Sequence, residues 1–202
     1  MTRLIIVRHG QTIWNLERKY QGHSDIALTE KGLKQAEAVA VRLAAEPVDA
    51  VYASDLSRAF KTAECIAAKH NLKVGLVPAL REIKFGDWEG LTYEEITARW
   101  PGLLGKLWST PDELEIPGGE SFHQLKARAY DAVTKIVAAH PEQTVAIVAH
   151  GGTIGTILCA MLNIHLNHVW SIRQDNTAVN IVEYYEGRPT ICLLNCIRHL
   201  QP

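Results

Sequence analysis

Residues 4–15 read LIIVRHGQTIWN: four aliphatic residues, then Arg8, His9 and Gly10. An apolar run without polar alternation fits a strand covered on both faces, as in the centre of a parallel sheet sandwiched by helices. Residues 144–152, TVAIVAHGG, repeat the arrangement far along the chain, ending on His150, Gly151 and Gly152. Two such strands, each releasing a histidine and a glycine at its carboxyl end, indicate an α/β fold. They also place both histidines where open α/β sheets gather ligands.

The remaining apolar stretches support this reading. Strands are predicted at 3–8, 48–53, 74–77, 144–149, 178–184 and 190–196, with amphipathic segments between them. Thr29 can cap a helix with Leu33, Ala36, Val39, Ala40 and Leu43 on its inner face, and Ser54 one with Leu56, Ala59, Phe60, Ala63 and Ile66 facing inward. Thr92 with Glu95, and Ser121 with Gln124, form capping-box patterns that open helices near 93–100 and 122–139. The stretch 85–120 differs in texture. It holds Trp88, Trp100 and Trp108 among several prolines and glycines, and reads as an inserted cap within a single domain spanning 1–202.

Composition narrows the partners. The 202 residues are 47 % hydrophobic and 21 % charged with a net charge of −1, which argues against bulk attraction to nucleic acid or an anionic membrane. No apolar run reaches membrane-spanning length, and charge appears too early for a signal peptide. Cys65, Cys159, Cys192 and Cys196 form no CxxC and read as structural thiols of a reduced, cytoplasmic protein.

A candidate site follows from the strand ends. Burying the Arg8 guanidinium requires an anionic partner. Arg58 follows Ser54 by four residues, in a helix whose N-terminus opens on the same edge of the sheet. Glycines free the backbone for close approach by an anion, and a helix starting at Gly151 adds its positive dipole end. Two guanidiniums, two imidazoles and helix N-termini suit a phosphate. Neutral imidazole is a competent nucleophile, and the arginines with a protonated His150 could stabilise the transferring group without a metal. A leaving alcohol needs a proton. Glu82, in LREIKFGDWEG, could give it and later activate water, its acid form favoured by partial burial beside tryptophans. Glu89, Glu94 and Glu95 compete for that role.

Other signals carry less. GGTIG at 151–155 lacks dinucleotide-loop spacing, and no P-loop occurs. His165 and His168 have no third ligand nearby, so neither a metal nor a cofactor is expected. His23 adjoins Gln21 and Gly22 and could touch substrate. The tryptophans suit either a cap core or a wall for an apolar substrate moiety.

Together these residues resemble the histidine phosphatase superfamily, in the branch of cofactor-dependent phosphoglycerate mutases and related small phosphatases. VRHGQTIWN is similar to its nucleophile motif, YQGHSDIALTEKG to the segment that follows, and ASDLSRAFKTAE to its second-arginine segment. LREIKFGDWEG is similar to its acid/base segment, PGGES to its cap loop and VAHGG to its second-histidine motif. The resemblance implies a three-layer α/β sandwich, its mostly parallel mixed sheet covered by helices on both faces, with an inserted cap. It makes His9 the phosphorylated nucleophile and Glu82 the proton donor. Arg8, Arg58, His150 and Gly151 become the phosphate pocket, with Asn15, Gln21 and Gly22 contacting phosphate or substrate.

Mutases of this branch carry basic and tyrosine residues beyond the acid/base glutamate. Here that stretch is IKFGDWEGLTYEEITARW, with Lys84 the only cation before Arg99. A doubly phosphorylated intermediate would be poorly held, so a metal-independent phosphatase acting on a small phosphorylated metabolite is expected. REIKFGDWEGLTYEEI resembles the α-ribazole phosphatases. LNCIRHL and QDNTAVNIV resemble metal-independent phosphoserine phosphatases, in which a histidine usually stands where this chain has Phe85. A broad-specificity phosphatase, a mutase and a non-catalytic phosphocarrier or sensor are the alternatives.

Overall fold

The first apolar run forms the strand β1 (Thr2–Arg8) at the heart of a six-stranded sheet, in a computed structural model that describes residues 1–201. In chain order there follow α1 (Ile13–Leu16), α2 (Glu30–Leu43), β2 (Ala50–Ala53), α3 (Ser57–Lys69), β3 (Val74–Leu76), α4 (Tyr93–Arg99) and α5 (Leu103–Ser109). The chain continues with α6 (Phe122–Ala139), β4 (Thr144–Ala149), α7 (Gly151–Leu162), β5 (Val179–Tyr185) and β6 (Arg188–Cys196). The strand order is β3-β2-β4-β1-β5-β6. The first four in that order run parallel, while β5 pairs antiparallel with both β1 and β6. A hairpin with Glu186 and Gly187 at φ 50° and 79° joins β5 to β6, as a tight turn matching strand twist requires.

Side chains alternate across the sheet and build two cores. Leu4 and Ile6 join Val145 and Ile147 beneath α6 and α7. Ile5 and Val7 join Ala146 and Val148 beneath α2 and α3. All six residues of β4 are buried, which explains its unbroken apolar sequence. The result is the three-layer arrangement that the resemblance implied.

Three local expectations change. Leu33 is 42 % exposed, and Gly32 faces inward in its place. The reason is a close backbone crossing: a Cβ on Gly10 would lie 2.5 Å from the Gly32 carbonyl oxygen, and one on Gly32 would lie 2.1 Å from that of Gln11. Ser54 does not cap α3; Leu56 is its N-cap residue, with no side-chain bond. Instead Asp25, from a distant loop, accepts the Ser57 backbone N–H at 2.8 Å and its hydroxyl at 2.7 Å. Phe60 is only half-buried. The capping boxes form as read, with Glu95 on the Thr92 N–H and Gln124 on the Ser121 N–H, each at 2.8 Å.

The tryptophan-rich stretch folds into α4, α5 and short 3₁₀ turns. Its two ends are zipped together. Asp87 N–H donates to Pro117 O at 2.9 Å, and Glu120 N–H to Lys84 O at 3.0 Å. Gly86 sits at φ 51° in this seam, where a Cβ would fall 2.3 Å from Pro117 O. Trp88, Leu104, Leu107 and Leu114 pack into the same core as α6 and α7. Among the described residues no helix is long and apolar enough to cross a membrane.

Candidate active site

β1 and β4 end level with each other, Arg8 opposite Ala149. The next residues are His9 and His150, so strand register alone sets the two imidazoles side by side. His9 N–H donates to Ala149 O at 3.0 Å, and the ring centroids lie 5.0 Å apart. Both side chains are buried.

Hydrogen bonds fix both tautomers. His9 Nδ1 lies 2.7 Å from Gly10 O. A carbonyl only accepts, so Nδ1 carries the proton and Nε2 keeps its lone pair. Arg58 Nε donates to His150 Nδ1 at 3.2 Å, so the His150 proton resides on Nε2, which has no partner among the described residues. Burial holds His9 well below the ordinary histidine value, with Arg58 and Arg8 adding repulsion. Burial, then Arg58, His9 and Arg8, do the same to His150. His150 is therefore held as a neutral donor, whereas the sequence reading let it stabilise charge if protonated.

The guanidiniums are partly committed. Arg8 donates one terminal N–H to Gln174 O at 2.5 Å and leaves Nε without a partner among the described residues. Arg58 lies in the first turn of α3, fully buried, and donates to Ser24 O at 2.7 Å and Gly22 O at 2.8 Å. Burial pushes it down to about 10. Gly22 needs its φ of 51°, and a Cβ there would meet Glu89 Oε1 at 2.1 Å. Gly10 differs from its expected role: its N–H donates to Thr62 Oγ1 at 3.1 Å, so the residue serves the crossing with α2 and does not face an anion.

Geometry separates the rival carboxylates. Glu89 is occupied with the N–H groups of His23 and Ser24, both at 2.9 Å. Glu95 caps α4, and Glu94 is exposed. Glu82 borders the cavity that holds His9. Trp108 and Trp170 border the same cavity, as the expected neighbouring tryptophans, and backbone donors surround the carboxylate. Ile83 and Thr153 N–H donate to Oε1, and Gly152 N–H to Oε2, each at 3.0 Å. The carboxylate thus sits on the N-terminus of α7.

Arg128, on α6, holds the Glu82 loop from behind. One terminal nitrogen donates to Ala79 O at 2.7 Å and Arg81 O at 2.8 Å, and the other to Glu82 O at 2.8 Å. Nε and the second terminal nitrogen also reach the Glu120 carboxylate, tying this loop to the far end of the tryptophan-rich stretch. His23 Nε2 lies 2.9 Å from Glu82 O; His23 supports the loop and does not border the cavity. Asn176 Nδ2 donates to His9 O at 3.0 Å. Sequence reasoning missed Arg128, Gln174 and Asn176. The only signal for the last two was the QDNTAVNIV resemblance, while Arg128 resembles any cation on an amphipathic helix.

The sequence-derived residues converge. Arg8, His9, Asn15, Gln21, Gly22, Arg58, Glu82 and Gly151 all border one cavity of about 620 Å³, and His150 lies buried against His9. The outer wall is aromatic. Trp108 and Trp170 lie 5.2 Å apart, and Tyr20 meets Phe85 edge-on at 5.0 Å. Trp88 is core, so the two readings of the tryptophans divide between residues. Arg18, Lys19 and Arg173, which lie outside the stretch where Lys84 was the only cation before Arg99, also reach the cavity. Lys19 is paired with Glu17 at 2.8 Å and Arg173 with Asp175 at 2.8 Å. The described residues contain no group of three potential metal ligands.

The family model for the histidine phosphatase superfamily (branch 1) matches residues 4–197, and the chain belongs to that superfamily as an α/β phosphomonoester hydrolase. It is 43 % identical to a metal-independent phosphoserine phosphatase of Arabidopsis thaliana, over 78 % of this chain and 67 % of that one. The solved structure of Bacillus stearothermophilus YhfR superposes with a TM-score of 0.96 at 36 % identity, covering all of both chains. A putative α-ribazole-5′-P phosphatase from Escherichia coli superposes with a TM-score of 0.89 at 25 % identity, covering 96 % of each chain.

Proposed function

We propose that this phosphatase carries the phosphoryl group on His9 Nε2 and prefers esters whose leaving alcohol bears an apolar ring. The observation that carries the first part is the pair of buried donors without partners, Arg8 Nε and His150 Nε2, beside a histidine held neutral. A bound phosphate would accept from both and from the remaining N–H groups of Arg58, with Gly151 bordering the same cavity. These donors are fixed before substrate arrives, so they favour charge on the transferring oxygens without reorganising.

The chemistry runs in two halves. His9 Nε2 attacks phosphorus and the P–O ester bond breaks, while the carboxyl form of Glu82 gives its proton to the departing alcohol oxygen. Alcohol leaves. The Glu82 carboxylate then takes a proton from water, whose oxygen attacks phosphorus. The P–N bond breaks, and inorganic phosphate and neutral His9 result.

Phe85 and the Trp108–Trp170 pair support the second part. Their faces give an aromatic ring stacking surfaces. The four cysteines are free, as suits a reducing compartment such as the cytoplasm. The test is a panel in chelator: an aryl phosphate, α-ribazole phosphate, phosphoserine and 3-phosphoglycerate, with His9→Ala alongside. The expected result is higher kcat/KM for the two ring-bearing esters, release of inorganic phosphate, and no trapped phosphoenzyme in the variant. Equal turnover of phosphoserine would refute the ring preference. Undiminished hydrolysis by His9→Ala would refute the phosphohistidine.

A further inference from the structure

Thr177 is fully buried, yet sits at φ 58°, a left-handed conformation that a β-branched residue avoids. Its N–H donates to Arg8 O at 3.0 Å and more weakly to His9 O at 3.4 Å. The backbone of the nucleophile loop therefore hangs on a strained residue, and something must hold that residue in place. The partner comes from the far end of the chain. His199, in a short 3₁₀ turn after β6, places Nε2 at 3.1 Å from Thr177 Oγ1 and Nδ1 at 3.4 Å from an Arg42 nitrogen of α2.

Donor and acceptor roles in this chain are forced. Thr177 has one hydroxyl proton, which goes to Asn176 O at 2.7 Å, so its oxygen accepts from His199. His199 then carries its proton on Nε2, and Nδ1 accepts from Arg42, which can only donate. The direction runs from Arg42 through His199 and Thr177 to Asn176, and Asn176 Nδ2 itself grips His9 O at 3.0 Å. His199 does not border the cavity.

We infer that His199 is a positioning residue for the nucleophile, acting through Thr177 to fix the peptide of Arg8 and His9 from outside the cavity. The inference rests on His9 being the phosphorylated group. Releasing the latch loosens alignment of His9 while Arg58 and His150 still bind phosphate. The experiment compares His199→Ala, His199→Gln, Thr177→Gly and the His199→Ala/Thr177→Gly double variant by rapid-quench measurement of phosphoenzyme formation from an aryl phosphate.

His199→Ala is expected to slow that step roughly tenfold, as small misplacements of reacting groups do, with the inhibition constant of inorganic phosphate moving less than about twofold. His199→Gln should recover most of the rate, because its amide can both accept from Arg42 and donate to Thr177. Glycine adopts positive φ unaided. Adding His199→Ala to Thr177→Gly should therefore change nothing further. Unchanged phosphorylation in His199→Ala, absence of rescue by glutamine, or additive losses in the double variant would each overturn the inference. If His9→Ala also turns over normally, the phosphohistidine reading fails first, and the two failures are told apart.

Discussion

Arg128→Met keeps an unbranched apolar stem on α6 and removes the guanidinium N–H groups that brace the Glu82 loop. Three backbone carbonyls, those of Ala79, Arg81 and Glu82, lose a charged donor, and the Glu120 carboxylate loses its fork. Removing one partner of a buried charge pair costs about 3–5 kcal/mol. Side chains of 23 % and 14 % exposure let water reach part of the gap, so the lower end, about 3 kcal/mol, is expected. A domain of ordinary stability, roughly 5–15 kcal/mol, survives that loss, so the variant can be assayed folded. Urea unfolding reads the stability change.

The catalytic effect should depend on the leaving group. An aryl phosphate with an acidic phenol departs with little help, whereas an alkyl phosphate needs the proton from Glu82. General acid catalysis contributes roughly 10²–10⁴ in rate, and α7 still grips the carboxylate, so about a tenfold loss in kcat is expected for the alkyl ester. The aryl ester should lose about twofold or less by the same argument. Equal losses for both esters would show that Arg128 does not act through Glu82. A stability change below about 1 kcal/mol would refute the bracing role itself.

Trp108→Ala should raise KM for an aryl phosphate while leaving phosphoserine turnover nearly unchanged; steady-state kinetics on both substrates check this, and parallel changes would refute it. A second expectation concerns pH and stability. His9 and His150 are held well below the ordinary value of 6.5, and His199 is lowered to about 4, in each case mainly by burial. Below pH 6.5 the unfolded chain takes up protons that the native state refuses, so stability falls as pH drops, by about 1.4 kcal/mol per pH unit for each fully refusing histidine. Urea unfolding at pH 7 and pH 5 measures this, and His9→Gln should lessen the loss; an unchanged slope in that variant would contradict the buried neutral state.

Much of the fold was legible because it rests on local pattern. The apolar runs of β1 and β4, and the capping boxes at Thr92 and Ser121, can be read without tertiary context. The pairing of His9 with His150 followed from the same runs, since two parallel strands of one sheet release their ends on one edge. Features set by distant partners were not legible. Asp25 replaces Ser54 at the start of α3 because the loop that carries it folds back across Arg58. Gly32 displaces Leu33 from the core because Gly10 crosses α2 at backbone distance. Local pattern does not separate Glu82 from Glu89, and only the family resemblance favoured Glu82; in the fold they are told apart by where the α7 N-terminus and the backbone of residues 23–24 come to lie. Arg128 was invisible for a similar reason, its partners being carbonyls, which every residue possesses.

The level ending of β1 and β4 has a consequence for how activity is acquired. The two imidazoles come from opposite regions of the polypeptide, and no loop brings them together; only closure of the central strand pair does. Such pairing carries a high loop-closure entropy and belongs late in assembly. Catalytic competence should therefore arise cooperatively with the complete sheet, so that a partially folded chain is inert toward phosphate esters and recovery of turnover reports the final stage of folding.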